Sequence, residues 1–466
     1  MAAPLVLVMA AGSGTRMRSS TPKMLHPVCG RPMVAWPILA AREAGSMTGR
    51  IAAIVSPGHD ISAGLPAGVE TVEQPEPDGT GGAIRAAQAL IEEAETVLVL
   101  SGDVPLISAD LIAALIEAHE ASEAAATMLT IELDDPGSYG RVVRTPDGDV
   151  EGVAEAKAAG DADSSQLAIK EINAGTYVFD AAPLAAALAG LSNDNAQGEY
   201  YLPDVVPALR TAGRTVAAFQ TDDLGVTMGI NNRVDLAAVE AEARRRLLEA
   251  HMLAGVTIVD PGSTWIDADV VLGRDVRIEP ATSLLGSTTA TNRAVIGPLT
   301  TVIDSEIGAE ATILRSHVEG STIGDGATVG PFAYLRPGTV MDAGSKAGAS
   351  VEIKNSHIGK GAKVPHLSYV GDADVGPGSN LGAGTITANY DGFTKNRTTI
   401  GRDVRIGVDT MLIAPVEVGD SAYTGAGAVI KDDVPDGALA VSENAQRNID
   451  GYAADKAAKM REEQDT

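Results

Sequence analysis

The chain has a single cysteine, Cys29, in 466 residues. That excludes an intrachain disulfide, and nothing in the composition marks an oxidising compartment. Aromatic residues make up only 3% while glycine numbers 51, a pairing that points to an aliphatic, turn-rich and repetitive architecture in part of the chain. No apolar stretch approaches the roughly 20 residues of a membrane span. The N-terminal apolar run has no charged region before it and is too short for a signal peptide, so a cytoplasmic protein is the expectation. A net charge of −27 argues against nucleic-acid and anionic-membrane partners. The most informative scarcity is local. The first 42 residues hold no Asp or Glu, where the overall content would place about five or six. Arg16, Arg18, Lys23, Arg31 and Arg42 all fall in that stretch.

What is there instead is a five-residue apolar run, Leu5 to Met9, that empties into Ala10, Ala11, Gly12 and Gly14 and then into the cations Arg16 and Lys23. This pattern predicts a buried strand followed by a loop whose backbone can approach a ligand closely. A basic, glycine-rich loop in an acidic chain suits phosphate. It is not a dinucleotide fingerprint, because Met17 stands where the third glycine belongs, and no Gly-Lys-Ser/Thr follows to make a P-loop. Arg16 and Lys23 would spread the charge of a phosphoryl-transfer transition state.

A chain of this length suggests two or three domains. Up to about residue 230 strands alternate with helices: strands at Leu5 to Met9, Arg50 to Val55 and Thr96 to Leu100, helices at Pro32 to Glu43, Thr80 to Glu93 and Ala109 to Ala121. The alternation predicts an α/β doubly wound, mostly parallel (Rossmann-like) sheet with its ligand at the carboxyl ends of the strands. Asp103 lies just past one such end and is a candidate magnesium ligand, since Mg2+ prefers hard oxygens. Asn231 is a second candidate. Each could equally be a cap or turn residue, and the spacing does not bring the two together. Residues 233 to 250 read as a charged, alanine-rich helix without a broad apolar face, a connector rather than a core element. The expected domains are 1–230, a linker helix at 231–255, and 256–466.

Past Ala254 a period of six takes over. Ile400, Ile406, Leu412, Val418, Thr424 and Ile430 are in phase, and glycine follows many such positions. This hexapeptide repeat predicts a parallel β-helix whose narrow interior leaves little room for rings. Residues 388–398 break the phase and read as a projecting loop. In this half the histidines are His317, His357 and His366. A lone histidine on a solenoid is commonly a surface residue. His366 stands out because Arg336, Lys354 and Tyr369 fall on adjacent coils, with Asn389 and Tyr390 downstream. An imidazole set beside such polar groups suits general-base work.

The opening loop with Pro22-Lys23 resembles the signature of sugar-1-phosphate nucleotidyltransferases. Gln74, Gly79-Thr80, Ser101-Gly102-Asp103, Tyr139-Gly140-Arg141, Glu155, Asn173 and Gly198 to Tyr201 follow in that family's order. With Lys354, His366, Tyr369, Asn380, Ala383 and Asn389-Tyr390 added, the whole chain is similar to the bifunctional N-acetylglucosamine-1-phosphate uridylyltransferase/glucosamine-1-phosphate N-acetyltransferase family. The resemblance implies an N-terminal domain that joins UTP to N-acetylglucosamine-1-phosphate. The backbone of Ala10, Ala11, Gly12 and Gly14, with Arg16 and Lys23, would hold the phosphates. Gln74, Gly79 and Thr80 would read uracil, with Ser101 and Gly102 beside the nucleotide. Gly140, Glu155 and Asn173 would bind the sugar, and Asp103 and Asn231 would carry Mg2+.

For the second half the resemblance implies a left-handed β-helix that acetylates glucosamine-1-phosphate from acetyl-CoA. His366 would be the base. Arg336, Lys354, Tyr369, Asn380, Asn389 and Tyr390 would hold the acceptor, and Ala383, Val408 and Ala426 would pack coenzyme A. A homotrimer is implied by the same resemblance. Two positions depart from the pattern: Val408 stands where many members have Ser, and Glu443 where some have Arg. The alternative is a single-activity nucleotidyltransferase whose β-helix only assembles or regulates.

Overall fold

A computed structural model of the chain describes residues 3–12, 14–45, 48–156, 162–195, 197–442 and 448–464. Glu443 therefore lies outside the described residues, as does Ser13 within the opening loop. The chain divides into two compact units. The first is Met1–Ala250 together with Ile266–Asp269, and the second is the remainder.

The first unit is built on a nine-stranded sheet. Its main order is Val216–Gln220, Ala126–Glu132, Glu171–Asp180, Thr96–Ser101, Leu5–Met9, Ile51–Val55 and Glu70–Glu73. Side chains alternate between the faces, and both faces are buried. Val6, Val8, Leu98 and Leu100 enter one core, while Leu5, Leu7, Val97 and Val99 enter the other. That is why these strands read as unbroken apolar runs. The expectation of a mostly parallel sheet holds around Leu5–Met9, which pairs in parallel with both neighbours. It fails at Glu171–Asp180, which is antiparallel to Thr96–Ser101 and to Ala126–Glu132. The connection into that strand is a hairpin (Arg141–Arg144 and Val150–Ala154) rather than a crossover helix, so the chain re-enters from the end it left. The helix expected over Thr80 to Glu93 is two, Thr80–Ala86 and Gln88–Glu92, interrupted at Ala87.

The charged helix runs from Arg233 to Leu253 and is more than a connector. Val239 and Ala243 are buried in the first core, and Leu236 and Leu247 pack against it. Polar contacts add to this narrow stripe. Arg246 meets Asp223 at 2.6 Å, and the Cys29 N–H donates to Glu240. A stripe of four positions was too thin to read as a core face, but ion pairs on its flanks hold it down.

The second unit is the left-handed parallel β-helix that the resemblance implies. Three parallel sheets of 11, 10 and 9 strands form the sides of the prism among the described residues, each strand pairing with the one three further on until the last pair, Tyr423–Thr424 with Leu439–Ala440, which are two apart. All six in-phase positions from Ile400 to Ile430 point inward, none more than 5% exposed. Fully burying such an aliphatic side chain contributes about 1.5–3 kcal/mol. Thr424 is the polar exception. Its hydroxyl accepts from the Gly407 N–H at 2.9 Å and meets the Thr410 hydroxyl at 3.1 Å, so the inward oxygen is satisfied.

One edge of the prism is a ladder of left-handed residues. Leu299, Arg315, Phe332, Ser350, Leu367, Gly384, Asp409 and Gly427 all have positive φ between 44° and 76°. From coil to coil an N–H on this edge donates to a carbonyl of the coil before, as Leu367 does to Ala349 at 3.0 Å and Asp409 to Ala383 at 2.7 Å. The phase-breaking tract leaves the prism between Ala388 and Thr398, where Phe393 is 94% exposed.

Candidate active sites

In the first unit the ligand-facing residues gather beyond the carboxyl ends of Leu5–Met9 and Thr96–Ser101. Gly14 has φ +60°, and a Cβ there would stand 2.5 Å from the Lys23 Cβ, so glycine lets Lys23 pack under the loop. Lys23 is buried, and its ammonium reaches Asp103 Oδ2 at 2.6 Å. The Arg16 guanidinium donates to Asn231 Oδ1 at 2.9 Å. Residues that the spacing left unconnected are thus cross-linked in two pairs, and the Ile230 N–H donates to the Asp103 carbonyl at 2.9 Å.

Asn231 is placed by the start of the long helix. Asn232 Oδ1 accepts from the N–H groups of Val234 and Asp235, while Asp235 Oδ2 accepts from those of Asn231 and Asn232. This reciprocal cap satisfies the N–H groups of Asn232, Val234 and Asp235 at the helix start and ties the Asn231 backbone to it.

Two cavities of about 340 and 500 Å3 share Met9, Thr80, Ser101 and Asp103. The smaller is also lined by Ala11, Gly12, Gln74 and Gly79. The larger adds Arg16, Tyr139, Gly140, Glu155, Asn173 and Asn231. A Cβ on Gly12 would meet nothing within 4 Å, so the loop lies open there. The Ala10 N–H is committed to Ile54 O at 2.8 Å, and the Gly102 N–H to Met9 O at 2.9 Å. Those two hydrogens are therefore spent within the sheet end rather than offered to a ligand.

The polar lining is locked from behind. Gln74 Nε2 donates to Asp78 Oδ1 at 2.8 Å and to Gly79 O at 3.1 Å, and Arg85 pairs with Asp78 at 2.9 Å. Asn173 Nδ2 donates to the Tyr177 hydroxyl, and Asn173 Oδ1 accepts from the Gly175 N–H at 2.9 Å. Burial pushes the Tyr177 phenol well above its ordinary value, keeping it protonated. Buried Arg141 donates to the carbonyls of Gly137 and Tyr139, fixing the loop that carries Gly140. Asp78 and Arg85 went unread in the sequence because both act through other residues and belong to no spaced motif.

In the second unit Arg336, Lys354 and Tyr369 do fall on adjacent coils of one side, where Tyr334 pairs with Glu352 and Glu352 with Tyr369. Arg336 donates to Glu352 at 2.9 Å, and the Lys354 ammonium lies 3.6 Å from Asp372. Asn389 is buried and donates to Asp372 at 2.5 Å, with the Tyr369 hydroxyl 3.5 Å away. Tyr390 is exposed in the projecting loop. Lys395 of that loop was not anticipated. The neighbouring Lys354 ammonium pulls its pKa down, the mark of two cations sharing a place suited to an anion.

His366 is not part of this hydrogen-bonded cluster. It ends the strand Lys363–His366 on the next side of the prism, exposed, one corner away from Tyr369. Asn380 lies on that same side, where it pairs with Lys363. The edge ladder supplies the relation that spacing alone did not. The carbonyls of His366, Ala383 and Val408 accept in turn from the N–H groups of Gly384, Asp409 and Gly427. His366, Ala383, Val408 and Ala426 therefore occupy equivalent places on four successive coils. Val408 is 49% exposed there and carries no hydroxyl. Among the described residues, no three His, Cys, Asp or Glu side chains cluster for a metal ion, and no helix is long and apolar enough to cross a membrane.

Comparisons with known proteins agree with this architecture. Residues 6–141 match the MobA-like NTP transferase domain. The chain is 50% identical over 463 residues to the bifunctional protein GlmU of Mycobacterium tuberculosis, covering 97% of this chain and 92% of that protein. GlmU proteins of Mycobacterium ulcerans and Mycolicibacterium vanbaalenii are each 50% identical over 459 residues, covering 97% of this chain and 93% of theirs. Identity of this level along nearly the whole length of both chains means that this protein belongs to the bifunctional GlmU family.

Proposed function

We propose that the two units divide the two activities of UDP-N-acetylglucosamine synthesis, uridylyl transfer in the first and acetyl transfer in the second. The observation that carries this reading is the pairing of Lys23 with Asp103 and of Arg16 with Asn231: Arg16, Asp103 and Asn231 line one groove, and Lys23 is buried against Asp103. Those four groups are the cations and hard oxygens that a nucleoside triphosphate and a divalent ion require.

In the first unit UTP would lie in the smaller cavity. Both amide hydrogens of Gln74 are spent on Asp78 and Gly79, which leaves its Oε1 to accept the uracil N3–H. N-acetylglucosamine-1-phosphate would occupy the larger cavity between Gly140, Glu155 and Asn173. A phosphate oxygen of the sugar attacks the α-phosphorus of UTP in line, a new P–O bond forms, and pyrophosphate leaves with its bond electrons. Arg16 and Lys23 follow the charge onto the leaving group. Nothing covalent is asked of the chain, so positioning carries the rate.

Asp103 and Asn231 fit a Mg2+ ion, as two oxygens facing one cavity beside the place of the phosphates. Such an ion would neutralise phosphate charge. Each of the two oxygens now faces a cation of the chain, so the fit is best once phosphate has drawn Lys23 and Arg16 away.

In the second unit the thioester would lie along the edge formed by His366, Ala383, Val408 and Ala426. The phosphate of glucosamine-1-phosphate would settle between Lys354 and Lys395, whose mutual repulsion it relieves, with Arg336 beside them. Tyr369, Asn380, Asn389 and Tyr390 would arrange the sugar. The amine attacks the acetyl carbonyl, His366 takes the proton, and coenzyme A leaves as a thiolate that the same proton then neutralises. Homotrimeric assembly is part of the reading. Leu299, Phe332 and Leu367 are 59%, 64% and 69% exposed on the same edge, three apolar side chains alternating with Arg315 and Ser350 that a second copy of the chain would cover beside His366.

The test is to supply glucosamine-1-phosphate, acetyl-CoA, UTP and Mg2+ and to identify products by mass. Ordered appearance of N-acetylglucosamine-1-phosphate and then UDP-N-acetylglucosamine is the expected result. UDP-N-acetylglucosamine formed only when N-acetylglucosamine-1-phosphate is supplied would instead favour the single-activity reading.

A further inference from the structure

We infer that Asp372 is a positioning residue for acetyl transfer, one that aims the Asn389 carbonyl oxygen at the acceptor amine. The inference rests on the acetyltransferase reading above. Asp372 sits on the coil of Tyr369, 7% exposed and with φ +50°, a left-handed conformation that a residue other than glycine adopts at a cost. Its carboxylate is a hub. Oδ1 accepts from Asn355 Nδ2 at 2.6 Å, Oδ2 accepts from Asn389 Nδ2 at 2.5 Å, and the Lys354 ammonium lies 3.6 Å away. Its backbone joins in as well. The Asp372 N–H donates to Lys354 O at 3.0 Å, and the Thr398 N–H donates to Asp372 O at 3.1 Å. The last contact closes the base of the projecting loop.

Burial alone would raise the Asp372 pKa. Hydrogen bonds from Asn355 and Asn389 and the charges of Lys354 and Lys395 outweigh it, and the net direction is down. The group is therefore a carboxylate, which can only accept. An amide facing an acceptor must present its NH2, so the orientation of Asn389 follows from the chemistry of its partner. One amide hydrogen goes to Asp372, and the other points toward the Tyr369 hydroxyl. Oδ1 is left turned away from the carboxylate, an acceptor suited to a hydrogen of the glucosamine amine. Holding the amine by that hydrogen turns its lone pair toward the thioester carbon and its departing proton toward His366. A neutral residue at 372 would lose that instruction, because an amide can present either end.

The experiment uses the full-length chain and three variants, Asp372→Asn, Asn389→Asp and the double variant, with acetyl transfer and coenzyme A binding measured for each. In the double variant the new amide at position 372 still accepts from Asn355, and it can donate to the new carboxylate at position 389. The second oxygen of that carboxylate remains an acceptor for the amine. Asp372→Asn should lower kcat by about 100-fold, the scale of a modest misplacement of reacting groups. KM for acetyl-CoA and calorimetric coenzyme A binding should stay within about twofold. Asn389→Asp alone sets two carboxylates together and should be at least as slow. The double variant should recover at least about tenfold of the loss. A double variant no faster than Asp372→Asn would reduce Asp372 to a structural residue, as would Asp372→Asn retaining kcat within about threefold. Absence of acetyl transfer in the unaltered chain would sink the parent reading and this inference together, whereas intact transfer in Asp372→Asn sinks this inference alone.

Discussion

The two units assemble their sites in opposite ways. In the first, Arg16, Lys23, Asp103 and Asn231 converge from the two ends and the middle of a unit of some 250 residues, each delivered by a different strand end or helix start. In the second, Arg336, Lys354 and Tyr369 arrive on successive coils, as do His366, Ala383 and Val408. A site gathered at the carboxyl ends of a sheet's strands depends on the whole unit being folded. A site on a solenoid depends only on the coils that carry it and their neighbours. The first should therefore be lost as a whole, and the second piece by piece.

The largest effect expected from this contrast is at His366. His366→Ala should lower acetyl transfer by about 10²- to 10⁴-fold, with uridylyl transfer from UTP to N-acetylglucosamine-1-phosphate unchanged in the same preparation. Equal loss of both would mean that the units are not independent. Lys23→Ala should do the converse, lowering UTP-dependent pyrophosphate release by about 10²- to 10³-fold while acetyl transfer stays intact.

A core substitution separates the two kinds of cooperativity. Ile353 is fully buried inside a coil, and Ile353→Ala should cost about 2–5 kcal/mol. Calorimetry should show the β-helix transition moving down while uridylyl activity persists. Joint collapse of both activities at one temperature would break the comparison.

The effect of acid is smaller. Glu242 in the long helix is held at about 2, below its ordinary 4.5, by hydrogen bonds from Arg245 and Arg246 working against burial. The unfolded chain binds that proton more readily. The contribution is thus present above about pH 4.5 and lost as pH falls toward 2. Glu242→Gln should make unfolding of the first unit less steep over that interval, and the second unit should not respond. Smallest of all, Val408→Ser should restore a hydroxyl to the edge and lower KM for acetyl-CoA by about two- to threefold. No change in KM would take Val408 out of the coenzyme A reading.

The same contrast decided what could be read in the chain. The β-helix was legible from Ile400 to Ile430 because a period of six reports inward direction residue by residue, and adjacent coils follow by counting. The strand Leu5–Met9 and its basic loop were equally plain. Convergence was not. Nothing in the spacing joins Asp103 to Lys23 or Arg16 to Asn231, since tertiary packing alone closes those distances. The antiparallel entry of Glu171–Asp180 was not legible either, because the hairpin turn marked by Pro146-Asp147-Gly148 fixes only its own two strands and does not say how the next strand joins the sheet. The buried stripe of the long helix was hidden because Val239 and Ala243 are too few to dominate its charges. Asp372 was invisible for another reason: its carboxylate meets Asn355, Asn389 and Lys354 from three other stretches of chain, and a hub of hydrogen bonds leaves no periodic trace.

The projecting tract has a wider consequence. Ile358 pairs with Val375, seventeen residues on, and Val375 pairs with Ile400, twenty-five on, yet the stacking continues without a slip. The coil thus tolerates extra length at a corner as a zip tolerates a tab sewn to its tape. A lineage could lengthen, shorten or replace the segment carrying Tyr390 and Lys395 and so change the face it presents, while every inward residue stays as it is. Innovation in the second half of this protein is cheap where it faces solvent, and the prism beneath need not take part.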